Sequence, residues 1–222
     1  MKKILGVLVL AFIGILGMET GAMALEQVQT QINMFKDVSS KGETYGISFS
    51  LSNDALKNVS TVIIDGPRGA RVRLNNTLDL NDVLLSAVNL SLEEFNRLFP
   101  EGNYKIDLTP RTLGGLKVHM THNFPSTPAV TYPLDGSVNV PVNPVITWAP
   151  ITGIIGLQLQ LTDNAGFTLS ANLPINATSY SVPANLLKAS TGYDLSLEAK
   201  VTDFGGNGLN TTMIISFTTA AQ

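Results

Sequence analysis

The sequence predicts an all-β protein made of two tandem β-sandwich domains, after a helical signal peptide, with one short helix near residues 91–98. Short alternations of apolar and polar residues recur along the chain, and clusters of Gly, Pro, Asp and Asn separate them. Only 14% of the residues are charged. Low charge together with many Thr, Ser, Asn, Val and Leu residues is typical of a sandwich rather than of a helical protein.

The N-terminus has the pattern of a cleavable signal peptide. Two lysines precede an apolar and glycine stretch at 4–17, and Ala22 and Ala24 are small residues at the positions that a signal peptidase reads. The stretch has 14 residues, whereas an ordinary membrane-spanning helix needs about 20. We therefore expect cleavage after Ala24, which makes Leu25 the first mature residue; an uncleaved anchor is the alternative.

The mature chain of 198 residues has no cysteine. This excludes disulfides, a lipid-modified cysteine and thiol chemistry, so packing alone must hold the domains together. No second apolar span follows the signal peptide. The mature chain carries 12 Lys+Arg against 16 Asp+Glu, and this mildly acidic balance gives no support for a nucleic-acid partner.

A change in charge divides the mature chain into two predicted domains, at 25–123 and 124–222. The first holds 10 basic and 11 acidic residues, and the second holds 2 and 5. Pro125 and Pro128 lie at the junction, where they fix an extended backbone. The segment 123–128 therefore reads as a short, stiff linker, with signal peptide 1–24 ahead of both domains.

The first mature domain is predicted to be mostly β, and a hairpin turn is expected at 66–69. Its predicted strands are 28–36, 45–51, 61–64, 70–74, 82–90 and 104–108. The short helix is predicted by a capping box, in which Ser91 and Glu94 satisfy each other's backbone groups. Leu92, Phe95 and Leu98 then give this helix one apolar face.

The second mature domain has the clearer strand pattern. Residues 157–162 alternate apolar and polar side chains, which indicates a strand with one buried face. Further strands are predicted at 145–148, 167–173, 179–182, 193–201 and 213–218. Short strands at this regular spacing favour a Greek-key sandwich.

Four segments of this domain resemble a bacterial fibronectin type III (Ig-like) domain. They are 133–136, 144–150, 187–199 and 217–219. The resemblance covers about 95 residues, 125–219. It implies that Trp148 is a core residue of the second strand. It also implies that the Tyr193 phenol bonds back to the backbone near Leu187, as a tyrosine corner.

No set of catalytic residues stands out, so we expect a protein that is not an enzyme, with no cofactor and no metal. The two histidines, His119 and His122, are three residues apart and would point to opposite faces of a strand. Glu93 and Glu94 are explained by the start of the short helix. Calcium at Asp163 and Asn164, or at Asp203 and Asn207, stays open as an alternative to ordinary turn chemistry.

Two surface features are candidate ligand sites. Arg68, Arg71 and Arg73 form a local basic cluster that could hold an anion, although a solvated outer face is the plainer interpretation. Phe204 lies at a loop tip between Asp203 and Gly205, and loops at the ends of sandwiches often carry binding residues.

These observations predict a non-catalytic exported protein, secreted or periplasmic, that presents surfaces to a protein or cell-envelope partner. A carbohydrate-binding accessory protein is the first alternative and a hydrolase the second. No nucleic acid and no membrane span after cleavage are expected. The fold alone does not identify a function, so this hypothesis rests on analogy with adhesion-type scaffolds.

Overall fold

A computed structural model describes residues 29–221 except 53–55, 57–58, 76–81 and 110–114. The predicted signal peptide and its cleavage site lie outside the described residues. The elements of the first half are β1 (Gln29–Ser39), β2 (Gly42–Ser52), β3 (Thr61–Asp65), β4 (Arg71–Asn75), β5 (Asp82–Leu90), α1 (Leu92–Leu98), β6 (Gly102–Thr109) and β7 (Leu116–Met120).

The second half contains strands only. They are β8 (Val130–Tyr132), β9 (Ser137–Val140), β10 (Val145–Trp148), β11 (Gly156–Asp163), β12 (Thr168–Leu173), β13 (Ser179–Ser181), β14 (Gly192–Thr202) and β15 (Gly208–Thr219). The long strands form where apolar side chains recur every second residue, as in β11, whose Leu157, Leu159 and Leu161 are all buried. The predicted all-β fold is confirmed.

Three sheets form the molecule. The longest runs in the order β12-β11-β14-β15-β1-β2-β5, and β9 also pairs with β15. A three-stranded sheet, β13-β10-β8, packs on β11, β14 and β15, which confirms that the second half is a β-sandwich. A four-stranded sheet, β4-β3-β6-β7, packs on β1 and β2 and completes the first sandwich.

The long sheet crosses from one half of the chain to the other. Strands β1 and β15 pair in parallel, from Asn33 opposite Gly208 to Val38 opposite Met213. Leu209 of β15 is buried in the hydrophobic core of the first half, and Val201 packs against both cores. The two sandwiches therefore share one sheet and part of their packing.

The predicted helix is also confirmed. The Ser91 side chain accepts a hydrogen bond from the Glu94 N–H at 3.2 Å, and the Glu94 carboxylate accepts one from the Ser91 N–H at 3.0 Å. Phe95 is the buried residue of α1, whereas Leu92 is 51% exposed. The helix thus contributes a single aromatic anchor to the first core.

Candidate binding surfaces

The loop between β14 and β15, Asp203–Asn207, is closed by one aspartate; we call it the Phe204 loop. Asp203 Oδ1 accepts hydrogen bonds from the N–H groups of Gly205 at 2.8 Å and Asn207 at 2.9 Å. The Asp203 N–H in turn donates to the Asn207 carbonyl at 3.0 Å. Gly206 has a φ of +78°, which favours glycine. The loop conformation is therefore fixed by its own sequence.

Contacts with the first half anchor the same loop. The Asn207 side-chain amide donates to the His119 carbonyl at 2.6 Å and to Asp203 Oδ2 at 2.8 Å. The Thr121 N–H donates to Asp203 Oδ2 at 3.3 Å. A Cβ on Gly205 would lie 2.6 Å from the His119 carbonyl oxygen, so a larger residue would push the loop away. These contacts hold the loop against the edge of β7.

The side chain that this loop presents is completely exposed. Phe204 has a relative exposure of 103%. The loop between β11 and β12 repeats the geometry, because Asp163 Oδ1 accepts from the N–H groups of Ala165 and Phe167, both at 2.8 Å. The residue there that corresponds to Phe204 is Asn164, which is also exposed. The loop conformation therefore does not require an aromatic residue at position 204.

The predicted arginine cluster lies on the outer face of the four-stranded sheet. Arg71 is opposite Asp65, Asp65 is opposite Lys105, and Lys105 is opposite Lys117, so the four form one row across the strands. Arg71 pairs with Asp65 at 3.2 Å. The sequence could not reveal that the two lysines join this row, because the register between distant strands is not written in any local pattern.

The other two arginines of the cluster differ in position. Arg73 is exposed on β4, opposite Ile63. Arg68 is exposed in the turn between β3 and β4 and has a φ of 54°. Lys105 is paired with Asp107 at 2.8 Å. Because two aspartates offset part of the positive charge, the face is only moderately cationic.

The outer face of the long sheet is mostly polar. Lys200 bridges Glu198 and Gln158, each at 3.3 Å, and Gln158 donates to Ser170 at 3.1 Å. Burial raises the pKa of Glu198, against the opposing effect of Lys200, and burial likewise raises the pKa of Asp37. Ser170, Gln158, Lys200 and Glu198 thus form one polar network across strands β12, β11 and β14, whereas the nearby Asp37 repels Glu198.

One aromatic ring lies on the described part of that polar face. Phe35 is half-buried, and its ring covers the α-carbon of Gly46 on the neighbouring strand. Any side chain at position 46 would displace the ring, so Gly46 is needed for the close approach. This contact was not predicted, although an isolated glycine within a strand pattern was a usable signal.

The two histidines have different environments. His119 on β7 is exposed and its Nδ1 lies 2.9 Å from Asn103 Oδ1. His122 follows the end of β7, its ring centroid lies 4.8 Å from that of Phe95, and its Nε2 is buried without a hydrogen-bond partner among the described residues. Burial lowers the pKa of His122, with Glu101 acting in the opposite direction. The ring of His122 therefore belongs to the aromatic packing around Phe95, whereas the ring of His119 does not.

The turn residues considered for calcium already bind the backbone. Asp163 and Asp203 each accept two loop N–H groups through Oδ1. Within the part of the chain that the structure describes, no three His, Cys, Asp or Glu side chains come together in a group that could hold a metal ion. The same residues include no helix long and apolar enough to span a membrane.

A shallow polar cleft of about 230 Å³ lies at the opposite end of β14 from the Phe204 loop. It is lined by Thr162, Asn164, Asp194 and Ser216, among others. Asp194 accepts the Ser216 hydroxyl at 2.6 Å, and Asp135 accepts the Ser216 N–H at 2.8 Å. The two hydrogen bonds of Ser216 therefore tie β15 to β14 and to the segment that precedes β9.

Trp148 and Tyr193 are both buried in the second core, at 3% and 2% exposure. The Trp148 indole donates to the Ala177 carbonyl at 2.8 Å. The Tyr193 hydroxyl accepts from the Lys188 N–H at 2.9 Å, five residues upstream. This is the geometry of a tyrosine corner.

Comparison with known proteins gives structural likeness only. No family model matches the chain, and no curated protein matches it. Among solved structures, the chain is similar to the FN1-FN3 domains of chicken CNTN1, with 10% identity, a TM-score of 0.32, and coverage of 86% of this chain and 64% of that one. The chain thus spans less than two thirds of that segment.

Two further solved structures are similar. A two-domain fibronectin type III segment from chicken tenascin matches with 12% identity, a TM-score of 0.30, and coverage of 78% of this chain and 91% of that one. The BSP domain of a biofilm-associated protein matches with 16% identity, a TM-score of 0.27, and coverage of 88% of this chain and 29% of that one.

Proposed function

We propose that this protein is an exported, non-catalytic binding protein that engages a protein or cell-envelope partner through the Phe204 loop. The single observation that carries the proposal is the complete exposure of Phe204 on a loop held from both sides. Exposure of an aromatic ring to water is unfavourable and does not stabilise the fold. The loop between β11 and β12, which has the same conformation, has Asn164 at this position. A rigidly held aromatic is the kind of anchor that dominates the energetics of protein interfaces.

The preformed loop favours binding for a second reason. Ordering a flexible loop on association costs free energy. The hydrogen bonds of Asp203 and Asn207 already order this loop in the unbound protein, so binding does not have to order it. The partner therefore needs an apolar pocket of the size of one phenyl ring, surrounded by polar groups that tolerate the exposed loop backbone.

Export and domain organisation belong to the same proposal. The signal peptide at 1–24 directs the chain out of the cytoplasm, and the domains at 25–123 and 124–222 place the Phe204 loop at their junction. Sequencing the N-terminus of the protein recovered from the envelope or the medium tests this, and a mature chain that begins at Leu25 is expected.

A carbohydrate-binding role has less support. Sugar stacking on a sandwich uses exposed aromatic rings that lie side by side. Phe35 is the one aromatic on the described part of the polar sheet face, and it is half-buried. The crosslinking experiment described next separates the two roles, because it shows whether Phe204 is bound by a protein or by a glycan.

The test is site-specific photocrosslinking in the producing cell. A photoreactive phenylalanine analogue replaces Phe204 in one variant and Asn164 in the control, because the two loops share one conformation. A discrete protein adduct at 204 and none at 164 is expected. Equal adduct patterns at the two positions would contradict the proposal, and a glycan adduct at 204 would favour the carbohydrate role.

The captured partner then gives a quantitative check. Phe204→Ala should raise its Kd by about 30-fold, the equivalent of about 2 kcal/mol for an interface anchor. Asn164→Ala should leave the Kd unchanged. Both substitutions affect exposed positions, so the free energy of unfolding should move by no more than about 0.5 kcal/mol.

A further inference from the structure

Among the residues that the structure describes, strand β5 ends the long sheet with an open edge. It pairs with β2 on one side only. Among the described residues, no other strand or loop donates a backbone hydrogen bond to its far side. Every second residue of β5 therefore directs an N–H and a C=O group away from the sheet.

Within the described part of the chain, the edges of the four-stranded sheet are protected and the edge at β5 is not. Strand β4 carries Arg71 and Arg73, while β7 carries Lys117 and has the Phe204 loop bound to it through the His119 carbonyl. Charges and covering loops are the usual devices that prevent strands from pairing with other chains. From Val83 to Leu90, β5 has neither a charge nor a proline.

The side chains of β5 that face outward are apolar at two positions. Leu84 is 67% exposed and Val88 is 51% exposed, and the exposed Ser86 lies between them on the same face. The run is symmetric about Ser86, with one apolar residue two positions away on either side. The register of β5 with β2 shifts between Ala87 and Leu90, so Val88 lies beside a β-bulge that contains Asn89, whose φ is 58°.

We propose that β5 pairs with β5 of a second copy of this chain, antiparallel, about a twofold axis at Ser86. The axis places Leu84 opposite Val88 of the second copy, and Val88 opposite its Leu84. Directly opposed apolar side chains in an antiparallel pair are in contact. The half-buried Leu85 and Ala87 also become neighbours across the axis, on the core side.

The symmetry of the pattern selects a second copy over another partner. An isologous interface needs a surface that is complementary to itself. An antiparallel strand with apolar residues at equal distances from its centre and no charge between them meets that condition. Each copy contributes five residues, 84–88, so the interface is small and its affinity should be that of a weak, transient complex.

The first test measures mass by light scattering during gel filtration. At on the order of 100 μM, a concentration suited to a weak interface, the wild-type protein should be dimeric. Ser86→Lys places two like charges on the axis without disturbing a buried residue, and should make the protein monomeric. Ser170→Lys, at the exposed centre of the opposite edge strand β12, is the matched control and should remain dimeric.

The second test locates the axis. Because the chain has no cysteine, Ser86→Cys introduces a single thiol that should meet its equivalent across the axis. Mild oxidation should produce a covalent dimer at least tenfold faster with Ser86→Cys than with Ser170→Cys. Monomeric wild-type protein, a dimer that survives Ser86→Lys, or equal oxidation rates of the two cysteine variants would each overturn the proposal.

Discussion

The two halves of the chain tie a loop to a strand with the same device. In the second half, the Tyr193 hydroxyl accepts the Lys188 N–H at 2.9 Å, just upstream of β14. In the first half, the Tyr104 hydroxyl donates to the Pro100 carbonyl at 2.7 Å, just upstream of β6. A tyrosine near the start of a strand thus fixes the preceding turn in both sandwiches, although the backbone partner changes from a donor to an acceptor.

The cores around these tyrosines are built differently. The second core is mostly aliphatic around Trp148 and Tyr193. The first contains a group of rings centred on Phe95, with Tyr45 at 5.6 Å and Phe99 at 6.0 Å between ring centroids. His122 belongs to the same group. The first half therefore relies on a helix and on the junction segment to close its core, whereas the second half closes with strands alone.

The shared sheet makes this contrast testable. If the β1–β15 pairing couples the two sandwiches, damage to the first core must destabilise the second. If each half is stable alone, the damage stays local. The following substitutions are arranged to separate these cases and to measure how much each half depends on its own anchors.

The largest effect is expected from Phe95→Ala. Phe95 is fully buried, and removing a buried phenyl ring costs about 3–5 kcal/mol. Trp148, the only tryptophan, reports on the second half. In urea unfolding, the midpoint seen by Trp148 fluorescence should fall together with the midpoint seen by circular dichroism, because the halves share a sheet.

Leu92→Ala is the control for the same helix. Leu92 is 51% exposed, so its loss should change the free energy of unfolding by no more than about 0.5 kcal/mol. A Phe95→Ala protein whose fluorescence midpoint stays at the wild-type value would show that the second sandwich unfolds independently.

The sequence predicted the local parts of this architecture. The capping box of α1 and the alternation of β11 each depend on residues within a few positions of one another. Strands β8 and β9, of three and four residues, fall outside the predicted strands, although the equally short β13 and β10 were predicted. Strand β7 carried a usable signal, since Leu116, Val118 and Met120 alternate with polar residues.

Pairings between strands that are distant in the sequence leave no local pattern from which they can be predicted. The pairing of Asn33 with Gly208 joins strands from opposite ends of the chain. The alignment of Lys105 and Lys117 with Arg71 depends equally on register. For the candidate site, the sequence indicated Phe204 as a loop residue, but the role of Asn207 in holding that loop to His119 required the fold.

A smaller effect is expected when each tyrosine loses its hydroxyl. Tyr104→Phe leaves the Pro100 carbonyl without its donor in a buried position, and should cost about 2 kcal/mol. Tyr193→Phe frees the Lys188 N–H at a partly buried position, where water can replace the phenol, and should cost about 1 kcal/mol. Urea unfolding of the two variants measures the difference. The reverse order would mean that strain in the corner outweighs the burial of the bond.

The smallest effect concerns pH and again separates the halves. Burial lowers the pKa of His122 below the ordinary value of 6.5, so the folded state resists a proton that the unfolded chain accepts. The contribution of His122 to the free energy of unfolding is therefore complete above pH 6.5, and it is lost as the pH falls through the lowered pKa. The Glu101 carboxylate and the Phe99 backbone oppose this shift in the pKa of His122.

His122→Phe keeps a ring against Phe95 but removes the titrating group. The fall in the free energy of unfolding between about pH 7.5 and about pH 5 should therefore be smaller in His122→Phe than in the wild type. His119→Gln, at the exposed histidine of β7, should keep the wild-type pH dependence. Equal pH dependence in all three proteins would mean that His122 is solvated in solution, and that the first core closes without it.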